Sequence, residues 1–389
     1  MKRSLTPFLA LALAVTPAVR AQFNSGSTGS DGALNLTTAG TVIFDPQVMG
    51  LDAAGDNIFN FTTINIASGV TVVMTADVLR NRSVVWLATG NVNIAGTILL
   101  KGADGGIMTS SNPGIARLPA MPGPGGFPGG VGGYLTSPAT NGGGYGGGAA
   151  GTGSASGGNG TYNYDSLQLV PLVGGSGGGG GAIGSGTAGG NGGAGGGAIR
   201  IVSSTSITIT GTINASGGGN SGGLSAPAGG SGSGGVIHLI APTVSGSGSL
   251  RVWDSNNSGV VKISANTNTY SGVSSNVFTS GPLYNPPLPT AIPQVKVVSV
   301  NGVNAPTDVT GSQLVPDFTI SASTPVSVNI SAQYVPVGTI VTLHLTSEQG
   351  NDSTVTCAAL AGGLTGSTAT CAGATFPQGV TITDIRAVW

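Results

Sequence analysis

The chain has 389 residues, of which 72 are glycine and only 6% are charged, with a formal net charge of −1. Soluble domains ordinarily carry about 7% glycine and about 25% charge. Glutamate occurs once, at Glu348, and lysine only at Lys2, Lys101, Lys262 and Lys296, so the residues that furnish helix surfaces are nearly missing. Threonine, valine, isoleucine and serine take their place and suit pleated, half-buried strands. Hydrophobic residues make up 39% of the chain and fall in alternating runs, which argues for a folded all-β protein over a disordered one. No cluster of lysine and arginine exists to neutralise phosphates, which excludes nucleic acid as a partner.

Residues 1–21 read as a secretory signal peptide. Lys2 and Arg3 form its basic start, Pro7–Val15 its apolar stretch, and Val19-Arg20-Ala21 a small-residue site with cleavage before Gln22. The apolar stretch is too short to cross a bilayer, which takes about 20 residues, and no transmembrane segment is expected in the mature chain. The expected location is extracellular or cell-surface.

Residues 22–281 carry an internal repeat. One copy runs Val84–Gly102 (VVWLATGNVNIAGTILLKG), a second Ala198–Gly217 (AIRIVSSTSITITGTINASG), and a degenerate third Val236–Ser255; Ile64–Met74 is an earlier relative. Val92, Ile94, Gly96, Thr97 and Ile98 correspond to Ile207, Ile209, Gly211, Thr212 and Ile213. Each copy is a short strand, a small-residue corner, a second strand and a glycine exit. Neither strand buries a face alone, so the copies must stack. The alternation places Ile207, Ile209 and Ile213 inside and Thr208, Thr210 and Thr212 outside. The expected fold is a parallel β-helix, a solenoid with about 20 residues per coil. Glycine-rich insertions at Gly143–Gly160 and Gly174–Gly197 interrupt it. They read either as flexible linker or as ordered polyglycine-like strands packed beside the helix.

The segments Ser30–Pro46, Phe59–Met74, Val84–Ile98 and Gly192–Gly218 together resemble a group of secreted, glycine-rich bacterial proteins of the parallel β-helix, adhesin-like kind. The resemblance implies an extracytoplasmic surface role and carries no catalytic motif.

Pro282, Pro286, Pro287, Pro289 and Pro293 mark a linker at 282–293. Beyond it, residues 294–389 show strands at roughly 10-residue spacing, the pattern of a small Ig-like β-sandwich. The expected strands are Lys296–Val300, Phe318–Ala322, Val326–Ala332, Ile340–Thr346, Thr354–Ala359, Ser367–Ala372 and Val380–Val388. Cys357 and Cys371, the only two cysteines, are expected to form a structural disulfide across a hairpin turning at Leu360–Thr368.

Candidate chemistry is thin. Gly174-Gly175-Ser176-Gly177-Gly178 matches the nucleophile-elbow pattern but lacks the flanking strand and helix. His238 and His344 read as outward strand residues without a fixed acidic partner. Asp45, Asp52, Asp56 and Asn57 have the donor chemistry for calcium but suit backbone capping better. Arg80 and Arg82 stand without the carboxylate cluster of a polysaccharide lyase. Trp86, Tyr134, Tyr145, Tyr162, Tyr164 and Trp253 are the available sugar-stacking aromatics. The outward Thr208, Thr210 and Thr212 would suit an ice-binding face only if they recurred in register, whereas the other copies read Asn91, Asn93 and Ala95 or Thr243, Ser245 and Ser247. The expectation is a non-catalytic, cell-surface or matrix structural protein, adhesin-like, without catalytic residues, cofactor or metal. A carbohydrate-binding protein is the alternative and a lyase the third reading. The partner is open, with cell-surface polysaccharide or another surface protein in view.

Overall fold

The computed structural model describes residues 22–389 apart from 109–113, 164–167, 185–187, 222–226, 255–256, 275–277, 289–291, 308 and 322–324. The expected leader and Tyr164 lie outside the described residues. The protein is nearly all-β. Its described helical elements are the four-residue helix Pro46–Met49 and the 3-10 turn Gly114–Arg117. The helix begins where Asp45 accepts from the Gln47 and Val48 amides, and it ends at Gly50 in the left-handed conformation.

Between residues 32 and 281 the strands form a nine-stranded and a six-stranded sheet, each parallel throughout, and a small antiparallel pair, Trp253–Asp254 with Asn257–Ser258. Each pass of the chain lays its strands beside those of the pass before. In the first position Phe59, Trp86, Ile201, Leu239, Ile263 and Ser280 are successive register partners. In the second, Ile64, Val92, Ile207 and Val244 follow one another. In the third, Val42, Val72, Ile98, Ile213, Leu250 and Ser274 do so. The correspondences expected between repeat copies are therefore ladder pairs: Val92 faces Ile207, Ile94 faces Ile209 and Thr97 faces Thr212. The inward residues merge into one continuous aliphatic cluster, into which Phe44, Phe59, Phe61 and Trp86 bring edge-to-face and tilted ring contacts.

The glycine-rich insertions are ordered over their described residues. Their amides pair between segments in a three-residue rhythm. Gly175, Gly178 and Gly181 donate to the carbonyls of Gly196, Gly193 and Gly190. Gly177 and Gly180 donate to Gly143 and Thr140, and Gly179 and Ala182 to Gly158 and Ala155. On the acceptor side, Phe127, Gly130 and Gly133 donate to residues 175, 178 and 181; Gly148 and Gly151 to 177 and 180; and Ser233 and Gly230 to 176 and 179. Segment 174–182 is thus surrounded by six others. Three residues per turn without internal hydrogen bonds is the geometry of the polyproline II helix, here satisfied entirely by neighbours. Only glycine permits this approach: a Cβ on Gly178 would stand 2.1 Å from the Gly230 carbonyl oxygen, and one on Gly195 1.8 Å from that of Gly175.

Residues 294–389 form two antiparallel sheets. Gln294–Val300, Val303–Asn304, Val326–Gln333, Gly366–Ala374 and Ala361–Gly363 make one, and Ser353–Ala359, Ile340–Ser347 and Thr383–Val388 the other. The expected strand at 318–322 does not form over its described residues, 318–321. The Cys357–Cys371 disulfide is present, but its setting differs from expectation. The hairpin pairs Ala361–Gly363 with Gly366–Ala374, while Ser353–Ala359 belongs to the opposite sheet. The bridge therefore ties the two sheets together across their buried side, because the chain crosses between sheets at Leu360, before the glycine turn.

Two outcomes follow. Ile209 is fully buried and Thr210 exposed, so Ile209→Asp, which buries an unpaired carboxylate, should lower the thermal midpoint sharply while Thr210→Asp leaves it nearly unchanged; equal shifts in a melting experiment would contradict the assigned faces. Gly178→Ala should cost about 3 kcal/mol through forced backbone displacement. Gly219→Ala, whose Cβ would meet Asp104 at an ordinary 3.6 Å, should be close to neutral in denaturant titration.

Candidate functional site

The outer sides of the parallel sheets differ. The side behind the first position is covered: Val85, Leu87, Ala198, Val202, Val236 and Ile240 pack beneath Leu169 and Leu172, with Phe23, Tyr162, Leu283 and Leu288 at the margin. The other two sides are open. On one, Asn35, Asn65, Asn93, Thr208, Ser245 and Thr269 are consecutive register partners. Asn65 Nδ2 donates to Asn35 Oδ1 at 2.8 Å, and the Thr208 and Ser245 hydroxyls meet at 3.2 Å. On the other, Thr41, Thr71, Thr97, Thr212 and Ser249 line up, flanked by Ile43, Val73, Leu99, Asn214 and Arg251. Arg251 is the one charged residue on the described strands of these two sides. The sequence expectation for the threonine ladder is corrected here. The corner at Thr210-Gly211, matching Ala95-Gly96, turns the chain, so Thr208 and Thr212 stand on different sides, and it is Thr212 that recurs as threonine in register.

Beneath the covered side one register row carries Arg200, His238 and Lys262 side by side. Val85, Arg200, His238, Lys262 and Thr279 are consecutive register partners. His238 was expected to face outward. It does lie on the outer side of its sheet, yet it is fully buried by the covering segments. Arg200 donates to the Leu169 carbonyl at 3.0 Å and the Pro286 carbonyl at 3.4 Å, which pins those segments down. Burial pushes the Arg200 guanidinium down to about 10. Burial, then the neighbouring Arg200 and Lys262, hold His238 well below the ordinary imidazole range. Its Nε2 meets Ser264 Oγ at 3.3 Å and its Nδ1 has no partner among the described residues. His344 is likewise lowered, by burial and then by Arg386.

The remaining candidates are occupied by structural work. Ser176 is buried: its amide donates to Ser233 Oγ and its hydroxyl accepts from the Gly146 amide, with no histidine in contact. Asp45 caps the short helix, Asp52 accepts from the Asp56 and Asn57 amides, and Asp56 accepts from Ile58. Asn57 is buried and donates to the Leu79 and Arg82 carbonyls. Asp52 borders a cavity of about 190 Å³ with Gln47, Gly55 and Arg80; burial raises its pKa, reinforced by Asp56 and opposed by the two amides. No group of three or more metal-ligating side chains occurs among the described residues. Arg82 spans from the Gly55 carbonyl to Gln294 Oε1. Trp86 is core, Tyr134 stacks beneath Arg117, and Tyr145 and Trp253 are exposed on separate segments. Sequence reasoning missed Arg200 and Arg117. Their signal was available in retrospect, as isolated arginines in segments otherwise free of charge.

No protein-family model, curated protein or solved structure matches this chain.

His238 sets a pH dependence. It is neutral when folded, whereas the unfolded chain takes up a proton below about pH 6.5. Its contribution is therefore absent above that pH and becomes increasingly destabilising as the pH falls below it. The wild type should lose up to about 1.4 kcal/mol per pH unit more than His238→Leu between about pH 6.5 and 5; parallel stability profiles for the two proteins would refute the assignment.

Proposed function

We propose that the chain is an exported, non-catalytic structural protein of the cell surface or extracellular matrix, adhesin-like in character. In this reading residues 22–281 form a parallel β-helix stalk with the glycine bundle buttressing one side, and residues 294–389 form an Ig-like module at its end. The observation that carries it is the pairing of a continuous aliphatic interior with two outer sides that each bear an in-register ladder of uncharged hydroxyl or amide side chains. Such a body is stiff, wettable and extended, and its histidines and acidic residues are engaged in folding rather than gathered around a cleft.

A second reading is favoured by one observation. The ladder Thr41, Thr71, Thr97, Thr212 and Ser249 repeats at the strand spacing of about 4.8 Å, the recurrence that binding to a crystalline hydroxyl lattice such as ice requires. The described strands of the open sides carry no outward aromatic ladder for sugar rings, Trp253 standing alone just beyond Arg251.

Expression with an epitope tag followed by labelling of intact cells tests the first reading, which expects the tag to be reachable from outside. Retention in the cytoplasm, or turnover of an acidic polysaccharide by the purified protein, would sink it. Ice shaping by the purified protein, lost in Thr97→Tyr, would carry the second reading, and saturable capture on a glycan array the carbohydrate one.

A further inference from the structure

The C-terminal sheets have their own apolar cluster, which shares no residue with the clusters of the preceding chain. The described hydrogen bonds between the two bodies are that of Arg82 Nη2 to Gln294 Oε1 at 2.6 Å, beside the linker, and a group around Arg117. Arg117, in the 3-10 turn within the glycine-rich region, is fully buried. Its Nη1 donates to the Ser347 carbonyl and stands 2.8 Å from Asp352 Oδ1, and its Cζ lies 5.2 Å from the centre of the Tyr134 ring. Its Nε and Nη2 have no partner among the described residues. Around this pair the Asp352 amide donates to Ser137 Oγ at 2.9 Å, Thr136 meets Asn351 at 3.0 Å, and Gln313 Nε2 donates to the Pro119 carbonyl at 2.7 Å.

Polar interfaces between bodies with separate cores permit relative motion. A buried guanidinium is tolerable only beside its counter-charge; once that partner is removed, the cost of desolvation drives the arginine back to water. The incomplete hydrogen bonding of Arg117 weakens the closed state further, since opening lets water satisfy Nε and Nη2. The geometry points to a latch: residues 294–389 are an arm closed against the glycine bundle by Arg117 and Asp352, and loss of that one pair frees the arm while both bodies stay folded. This goes beyond the surface role proposed above and stands or falls without it.

The test uses the mature chain, residues 22–389. In Arg117→Gln the Asp352 amide, which is protected by Ser137 when the arm is closed, should exchange with solvent at least about tenfold faster. The radius of gyration from small-angle scattering should rise, and the amide of Ile330 inside the C-terminal sheets should keep its wild-type protection. Combining Arg117→Asp with Asp352→Arg should restore slow exchange at residue 352 and the compact radius. Unchanged exchange and scattering in Arg117→Gln would overturn the latch. So would loss of Ile330 protection, because the pair would then be part of the C-terminal fold itself.

Discussion

The main-chain hydrogen bond between segments distant in sequence is the interaction on which everything else in this protein rests. In the parallel sheets it joins each strand to the corresponding strand of the next pass. In the glycine bundle it joins extended threefold segments that have few side chains to contribute, those of Ser176, Asn191 and Ser233 among them. The bundle is the stricter case. Ordering glycine is entropically expensive, and within segment 174–182 the Ala182 methyl is the only side-chain apolar burial to offset it. The compensation is that nearly every amide and carbonyl finds a partner, and that backbones without Cβ atoms approach closely enough to gain dispersion contacts along their whole length.

Side-chain charge is used sparingly and in the same few places. Arg200 and Arg117 are each buried where irregular chain must be held against something regular: Arg200 holds the covering segments to the parallel sheet, and Arg117 meets the C-terminal body. At Arg200 the guanidinium suits the task because its donors reach the Leu169 and Pro286 carbonyls of irregular chain, and at Arg117 one nitrogen meets both the Ser347 carbonyl and Asp352. Beside Arg200, burial first and then the guanidinium charge lower the proton affinities of His238 and Lys262.

The parallel sheets were legible in the sequence because their determinants are local and periodic. Val92-x-Ile94 and Ile207-x-Ile209 announce an inward face, and the glycines at 96 and 211 announce a corner. The disulfide was legible as a pair, but its setting was not. Whether Ser353–Ala359 turns back beside Gly366–Ala374 or crosses to the other sheet depends on packing around Leu360, not on the turn. The burial of His238 was hidden for a similar reason: the covering residues Leu169 and Leu283 lie tens of residues away in segments without a pattern. The order of the glycine tracts was undecidable from composition, since a flexible linker and a packed threefold bundle use the same residues. The difference lies in the spacing of partners such as 178, 193 and 230, which only three dimensions display.

The three-residue rhythm of the bundle bears on how such a chain can vary. Strand Val84–Ala88 meets its neighbour Ala198–Ser203 only after the whole intervening insertion has been traversed, and closing a longer loop adds little, about 0.6 kcal/mol per doubling. Adding or deleting residues in threes would keep every glycine facing the neighbour it faces now, whereas a change of one or two would rotate side chains into carbonyls. The insertion is therefore free to differ in length among descendants of this sequence, but only in steps of a full turn, leaving the parallel strands on either side undisturbed.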